Sequence, residues 1–141
     1  MEFKDIIRKK IKSIFIILTL LLIGLLIYVL FRAPLSWLAV LNSTNQAIID
    51  LSWLPTPLAT FILNHLTGVV WALALAETVY VIKDNYLLGT FIAFASTVLF
   101  ESMQYFNFIP GTGDIWDVIF VTISLIGYLL IKKRGRNEKK T

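Results

Sequence analysis

The sequence predicts an all-α membrane protein: a bundle of four transmembrane helices with an interfacial helical segment between the first and the second. Three observations lead there. Hydrophobic residues fill 57% of the 141 positions and the mean hydropathy is +0.78, too apolar for an ordinary soluble domain and too short for more than one compact unit. Four apolar stretches are long enough to cross about 30 Å of hydrocarbon at about 1.5 Å per residue. Finally, 11 of the 13 Lys and Arg residues crowd the two ends: Lys4, Arg8, Lys9, Lys10 and Lys12, then Lys132, Lys133, Arg134, Arg136, Lys139 and Lys140.

The chain is expected to form one transmembrane domain, 1–141. A basic stretch, 1–13, leads into the first span, 14–31. Its apolar run exceeds a usual signal-peptide core, and no small-x-small cleavage site follows, so it is expected to stay as a span. The connection 32–60 is long and mixed. Trp37 and Trp53 favour the membrane–water interface, Asn42 to Gln46 interrupt the apolar residues, and Pro34, Pro55 and Pro57 act as breakers. One or two short helices lying along the membrane surface fit that pattern. Asn42-Ser43-Thr44 matches a glycosylation sequon, but the match is short and the compact, basic-ended chain reads as prokaryotic.

The second span is expected over 61–82, followed by the tight link Lys83-Asp84-Asn85, and the third over 86–108. Pro110-Gly111-Thr112-Gly113 is turn chemistry, and it lacks the pattern and lysine of a phosphate-binding loop. The fourth span covers 115–131 and a basic tail, 132–141, follows. Small residues recur at packing intervals within the spans: Gly68, Ala72 and Ala76; Gly89, Ala93 and Ser96; Ser124 and Gly127. Such stripes let helix backbones approach closely where the solvent is itself apolar.

An even number of spans puts both termini on one side, and both are basic, so the positive-inside rule places both in the cytoplasm. The same charges are expected to anchor the chain to the lipid bilayer, with no role in nucleic-acid binding. With no cysteine, disulfides, thiolate catalysis and cysteine-ligated metals are excluded, and the single histidine, His65, argues against a His-rich metal site. No metal and no cofactor is expected.

Direction then gathers the unusual polar residues at the outward end. Arg32 closes span one there, Asn64 and His65 open span two, Glu101 and Gln104 lie late in span three, and Asp114 and Asp117 open span four. Glu101 carries the most weight, because a carboxylate within hydrocarbon costs about 2.5–3.5 kcal/mol even on lenient insertion scales and persists where something uses or pairs it. Glu101 and Gln104 are three apart, as are Asp114 and Asp117, so each pair can share a helix face. Asp114 can equally cap span four. Arg32 either snorkels to headgroups or pairs with Glu101 or an acidic ligand. His65 is either a proton carrier or a packing residue. Glu77, near the other end of span two, is expected to reach the interface and meet Lys83.

Glu101-x-x-Gln104, then Pro110-Gly111, then Asp114-x-x-Asp117 ahead of Ser124 and Gly127, resembles the VanZ-like family of small bacterial membrane proteins; Asn64-His65 resembles the polar opening of that family's second span. The resemblance covers about residues 61–131. It departs where family members carry an arginine in the Pro-Gly turn and an asparagine one turn after the aspartate, since Thr112-Gly113 and Val121 stand here. It implies a multi-pass protein of the bacterial cytoplasmic (inner) membrane acting at the outer leaflet. The functional expectation is binding of a polar or cationic group of an envelope lipid, glycan or peptide by Glu101, Gln104, Asp114, Asp117, His65, Asn64 and Arg32. The alternatives are a membrane enzyme acting on a lipid-linked substrate, for which no nucleophile motif appears, and an accessory subunit docking a membrane-protein partner.

Overall fold

The computed structural model describes residues 3–31, 55–111 and 113–137. Among these residues every regular element is helical. Helix α1 spans Phe3–Phe31. A second rod starts as α2, Thr56–Phe61, passes through a π-helical stretch at Ile62–Leu66, and continues as α3, Thr67–Lys83. Helices α4, Tyr86–Tyr105, and α5, Ile115–Asn137, follow. Four segments are long and apolar enough to cross a membrane, with windows at Lys10–Ile27, Asn64–Lys83, Tyr86–Tyr105 and Ile115–Arg136.

Of the expected interfacial segment, residues 32–54 lie outside the described residues, and Arg32 with them. From Thr56 onward the chain is already helical and runs without a break into α3, the backbone staying right-handed helical at Phe61, Leu66 and Thr67. Pro57 falls in the first turn, where its missing N–H removes a donor that would have had no intrahelical partner.

Local chemistry accounts for each boundary. Helix α3 stops because Asp84 turns left-handed, with φ of 50°, and returns its N–H to Tyr80 O. Asn85 then opens α4 by accepting from Leu88 N at 3.1 Å. The end of α4 is a Schellman motif. Asn107, one of the few residue types tolerant of a left-handed backbone, sits at φ of 58°. Its N–H reaches Gln104 O at 3.0 Å, and that of Phe108 reaches Met103 O at 2.8 Å. The helix therefore ends at Tyr105, three residues before the expected 108.

Helix α3 is the centre of the packing and touches α1, α4 and α5. Accordingly 44% of its apolar window is buried, against 17% for α1 and 11% each for α4 and α5. The core joins Val69, Ala72 and Ala76 of α3 to Ala93 of α4 and to Val121 and Leu125 of α5. Gly89 is needed at the α3–α4 crossing, because a Cβ there would collide with the carbonyl oxygen of Ala76. The small-residue stripes thus divide. Ala72, Ala76, Gly89 and Ala93 are buried contacts, whereas Gly68 and Gly127 face open space. Large apolar side chains such as Phe15, Leu18, Phe91, Leu99, Ile123 and Leu130 form the exterior, a surface suited to hydrocarbon.

Candidate functional site

The turn from α4 to α5 is assembled by polar residues of the two helix ends. Asp114 is the N-cap of α5: its Oδ1 accepts from Trp116 N at 2.9 Å, and its carbonyl from Asp117 N at 3.1 Å. Glu101, partly buried in the last turns of α4, accepts the backbone N–H of Asp114 on Oε2 at 2.9 Å. Gln104 Nε2 donates a longer bond, 3.4 Å, to Pro110 O. Gly113 is required by the closeness of the turn to α4, since a Cβ there would lie 2.6 Å from Tyr105 N and 2.7 Å from Glu101 O.

This arrangement frees Asp117. In a capping box the acidic residue three positions into the helix reaches back to the N–H of the cap residue. Here Glu101 takes that N–H from the neighbouring helix, and Asp117 points instead to the second rod. Its Oδ1 lies 2.7 Å from His65 Nδ1. The ionised carboxylate only accepts, so the imidazole donates through Nδ1–H. Both side chains are largely shielded, 9% exposed for His65 and 19% for Asp117.

His65 is carried by the π-helical stretch Ile62–Leu66. Such single turns widen a helix and shift which residues face inward, and they recur at functional sites. The imidazole lies against the ring of Phe120, 4.9 Å between centroids, and near that of Phe61 at 6.3 Å; the ring of Trp116 is tilted against Phe120 at 6.1 Å. Thr67, the first residue past the π stretch, is buried with no hydrogen-bond partner for Oγ1 among the described residues. Thr78, Thr90, Thr97 and Thr122 each donate to the carbonyl four residues earlier. Thr67, directly after the π-helical stretch, lacks that bond.

The candidates therefore separate into two sets. Glu101, Gln104 and Asp114 hold the turn, and His65 with Asp117 ties α5 to the second rod. Asn64 is exposed beside them, and Arg32 lies outside the described residues. No group of three His, Asp or Glu side chains able to hold a metal occurs among the described residues. Chemically, a neutral imidazole held at Nδ1 by a carboxylate presents Nε2 as an acceptor of a hydrogen bond or a proton. No hydrogen bond to that nitrogen occurs among the described residues.

A second polar centre, at the opposite end of the bundle, corrects the expectation for Glu77. This residue is 1% exposed and meets Lys132 of α5 where Lys83 was expected. Tyr128 Oη donates to its Oε2 at 2.8 Å, and Lys132 Nζ lies 2.9 Å from Oε1 and 2.6 Å from Oε2. The buried Ser13 of α1 lies beside this carboxylate. Lys132 Nζ lies 4.2 Å from the centre of the Tyr80 ring, a favourable seat for a cation. The signal was present in the sequence. Glu77 stands six residues from Lys83, about 9 Å deep, and Tyr128 and Lys132 are one helical turn apart on one face of α5.

Comparison of the chain with protein-family models, with curated proteins and with solved structures finds no match in any of the three.

Proposed function

We propose that the chain is a multi-pass, VanZ-like protein of the bacterial cytoplasmic membrane, with both basic ends in the cytoplasm. In this reading it binds a hydroxyl or ammonium group of an envelope lipid, glycan or peptide at its outward end. The supporting observation is the Asp117-oriented His65, walled by Phe61 and Phe120, with no hydrogen bond to Nε2 among the described residues. Glu101 and Asp114 serve by holding the turn that carries Asp117. His65→Phe tests the reading, because it keeps a ring against Phe61 and Phe120 and removes both nitrogens. Native mass spectrometry of the purified protein should show a lipid, glycan or peptide adduct that this variant loses while still folding. An adduct of equal occupancy on the variant would overturn it.

The same imidazole favours a second reading, a membrane enzyme in which His65 is general base toward a lipid-linked substrate. The carboxylate recorded at the histidine is that of Asp117, and Glu101 Oε2 accepts from the turn. Product release from lipid-linked substrates, abolished by His65→Phe and strongly reduced by Asp117→Asn, distinguishes this from binding alone.

A further inference from the structure

A cleft of 430 Å³ opens at the end of the bundle opposite His65, between the start of α1, the α3–α4 link and the last turns of α5. Its charge is basic. Lys12, Lys132 and Arg136 line it with one carboxylate, Asp84, while the buried Glu77 pairs Lys132 from behind the wall. Lys132 is held at the cleft wall by the Glu77 carboxylate, with its ammonium over the Tyr80 ring. Lys12 and Arg136 are exposed and have no ion-pair partner among the described residues. Tyr80 and Tyr86 also line the wall.

The cleft is also graded in polarity. Ile16 lies one helical turn further along α1 than Lys12, and Ile131 precedes Lys132 on α5, so apolar lining continues from the charged mouth toward the helix midsections. A free anion would have no use for those two side chains, whereas a lipid phosphate carries an acyl chain to lay against them. We propose that this cleft binds the phosphate of an anionic phospholipid, with Lys12 and Arg136 as its direct contacts and the ammonium of Lys132 adding positive charge at the wall. Basic pockets between membrane helices take headgroups by this chemistry. The buried Glu77 acts as the positioning residue that fixes Lys132.

The test is a titration of the full-length protein, in neutral detergent, with short-chain phosphatidylglycerol, phosphatidylcholine or inorganic phosphate, read by native mass spectrometry. One phosphatidylglycerol should bind saturably and phosphatidylcholine at least about tenfold more weakly. Lys12→Gln with Arg136→Gln should weaken phosphatidylglycerol by roughly 30-fold, the effect of two surface charges. Lys10→Gln with Lys133→Gln, also exposed but outside the cleft, should leave it unchanged. Equal binding of the two lipids, or an equal loss in both double variants, would overturn the site. Displacement of phosphatidylglycerol by inorganic phosphate at matched concentration would overturn the lipid assignment and identify a soluble anion as the occupant.

Discussion

His65 and Asp117 are 52 positions apart in the chain and 2.7 Å apart in space. A hydrogen bond to a charged group contributes about 1.5–3 kcal/mol when neither partner is well solvated. A double-mutant cycle of His65→Phe and Asp117→Ala, followed by thermal unfolding in detergent, should therefore show a coupling of about 1 kcal/mol or more. Additivity within about 0.3 kcal/mol would mean that the contact contributes nothing. For Glu77, removing one partner of a fully buried pair costs about 3–5 kcal/mol. The Lys132 side chain is 21% exposed and can swing toward water, so Glu77→Gln should cost less, about 2 kcal/mol. Replacing both residues by Met should recover most of that loss. Glu101 was legible from sequence as a carboxylate with a task, because depth makes idleness costly. Its partner was not, since a backbone N–H has no residue type to announce it. Glu77 was equally deep and was misread because a lysine stood nearby in sequence.

At the scale of elements, the α4–α5 turn converts two short-range signals into one long-range contact. Asp114 was legible both as a cap and as a ligand, and the structure uses it as the cap. Glu101→Ala removes the acceptor for Asp114 N and should cost about 1–3 kcal/mol, whereas Glu101→Gln keeps an oxygen in place and should cost less. Equal losses in the two variants would show that the charge matters and the hydrogen bond does not. Gly113→Ala forces a Cβ against the backbone of α4 and should cost about 1–3 kcal/mol. Gly127→Ala, which meets open space, should stay within about 0.5 kcal/mol of the parent. The helix ends were legible to within a few residues on three sides of the short links. The end of α4 was missed because a left-handed asparagine, Asn107, stops it inside an aromatic run that hydropathy alone would continue.

At the scale of the molecule, four apolar helices place the two basic ends and the α3–α4 link at one end of the bundle, and the α4–α5 turn at the other. The absence of cysteine makes the proposed orientation directly testable. Lys10→Cys and Lys133→Cys should react with an impermeant maleimide only after the cells are opened, and Phe108→Cys, which is exposed, in intact cells. The reverse pattern would invert the topology and move the His65 site to the cytoplasm. Two polar centres at opposite ends also predict independence: substitutions in the basic cleft should leave the His65–Asp117 coupling unchanged, because sites this far apart with no shared partners are additive.

The sequence alone determined the helical class, the number of long apolar helices and their short links, because span length and hydropathy are properties of contiguous residues. It also marked the turn after α4, where proline, glycine and acidic residues cluster. Only the tertiary structure decided that α3 is the central helix, that Asp117 meets His65, and that Glu77 meets Tyr128 and Lys132. Those outcomes depend on how each helix is rotated about its axis. Rotation is set by close contacts such as Gly89 against Ala76 and by the π-helical turn under His65, and neither is a property of any single segment.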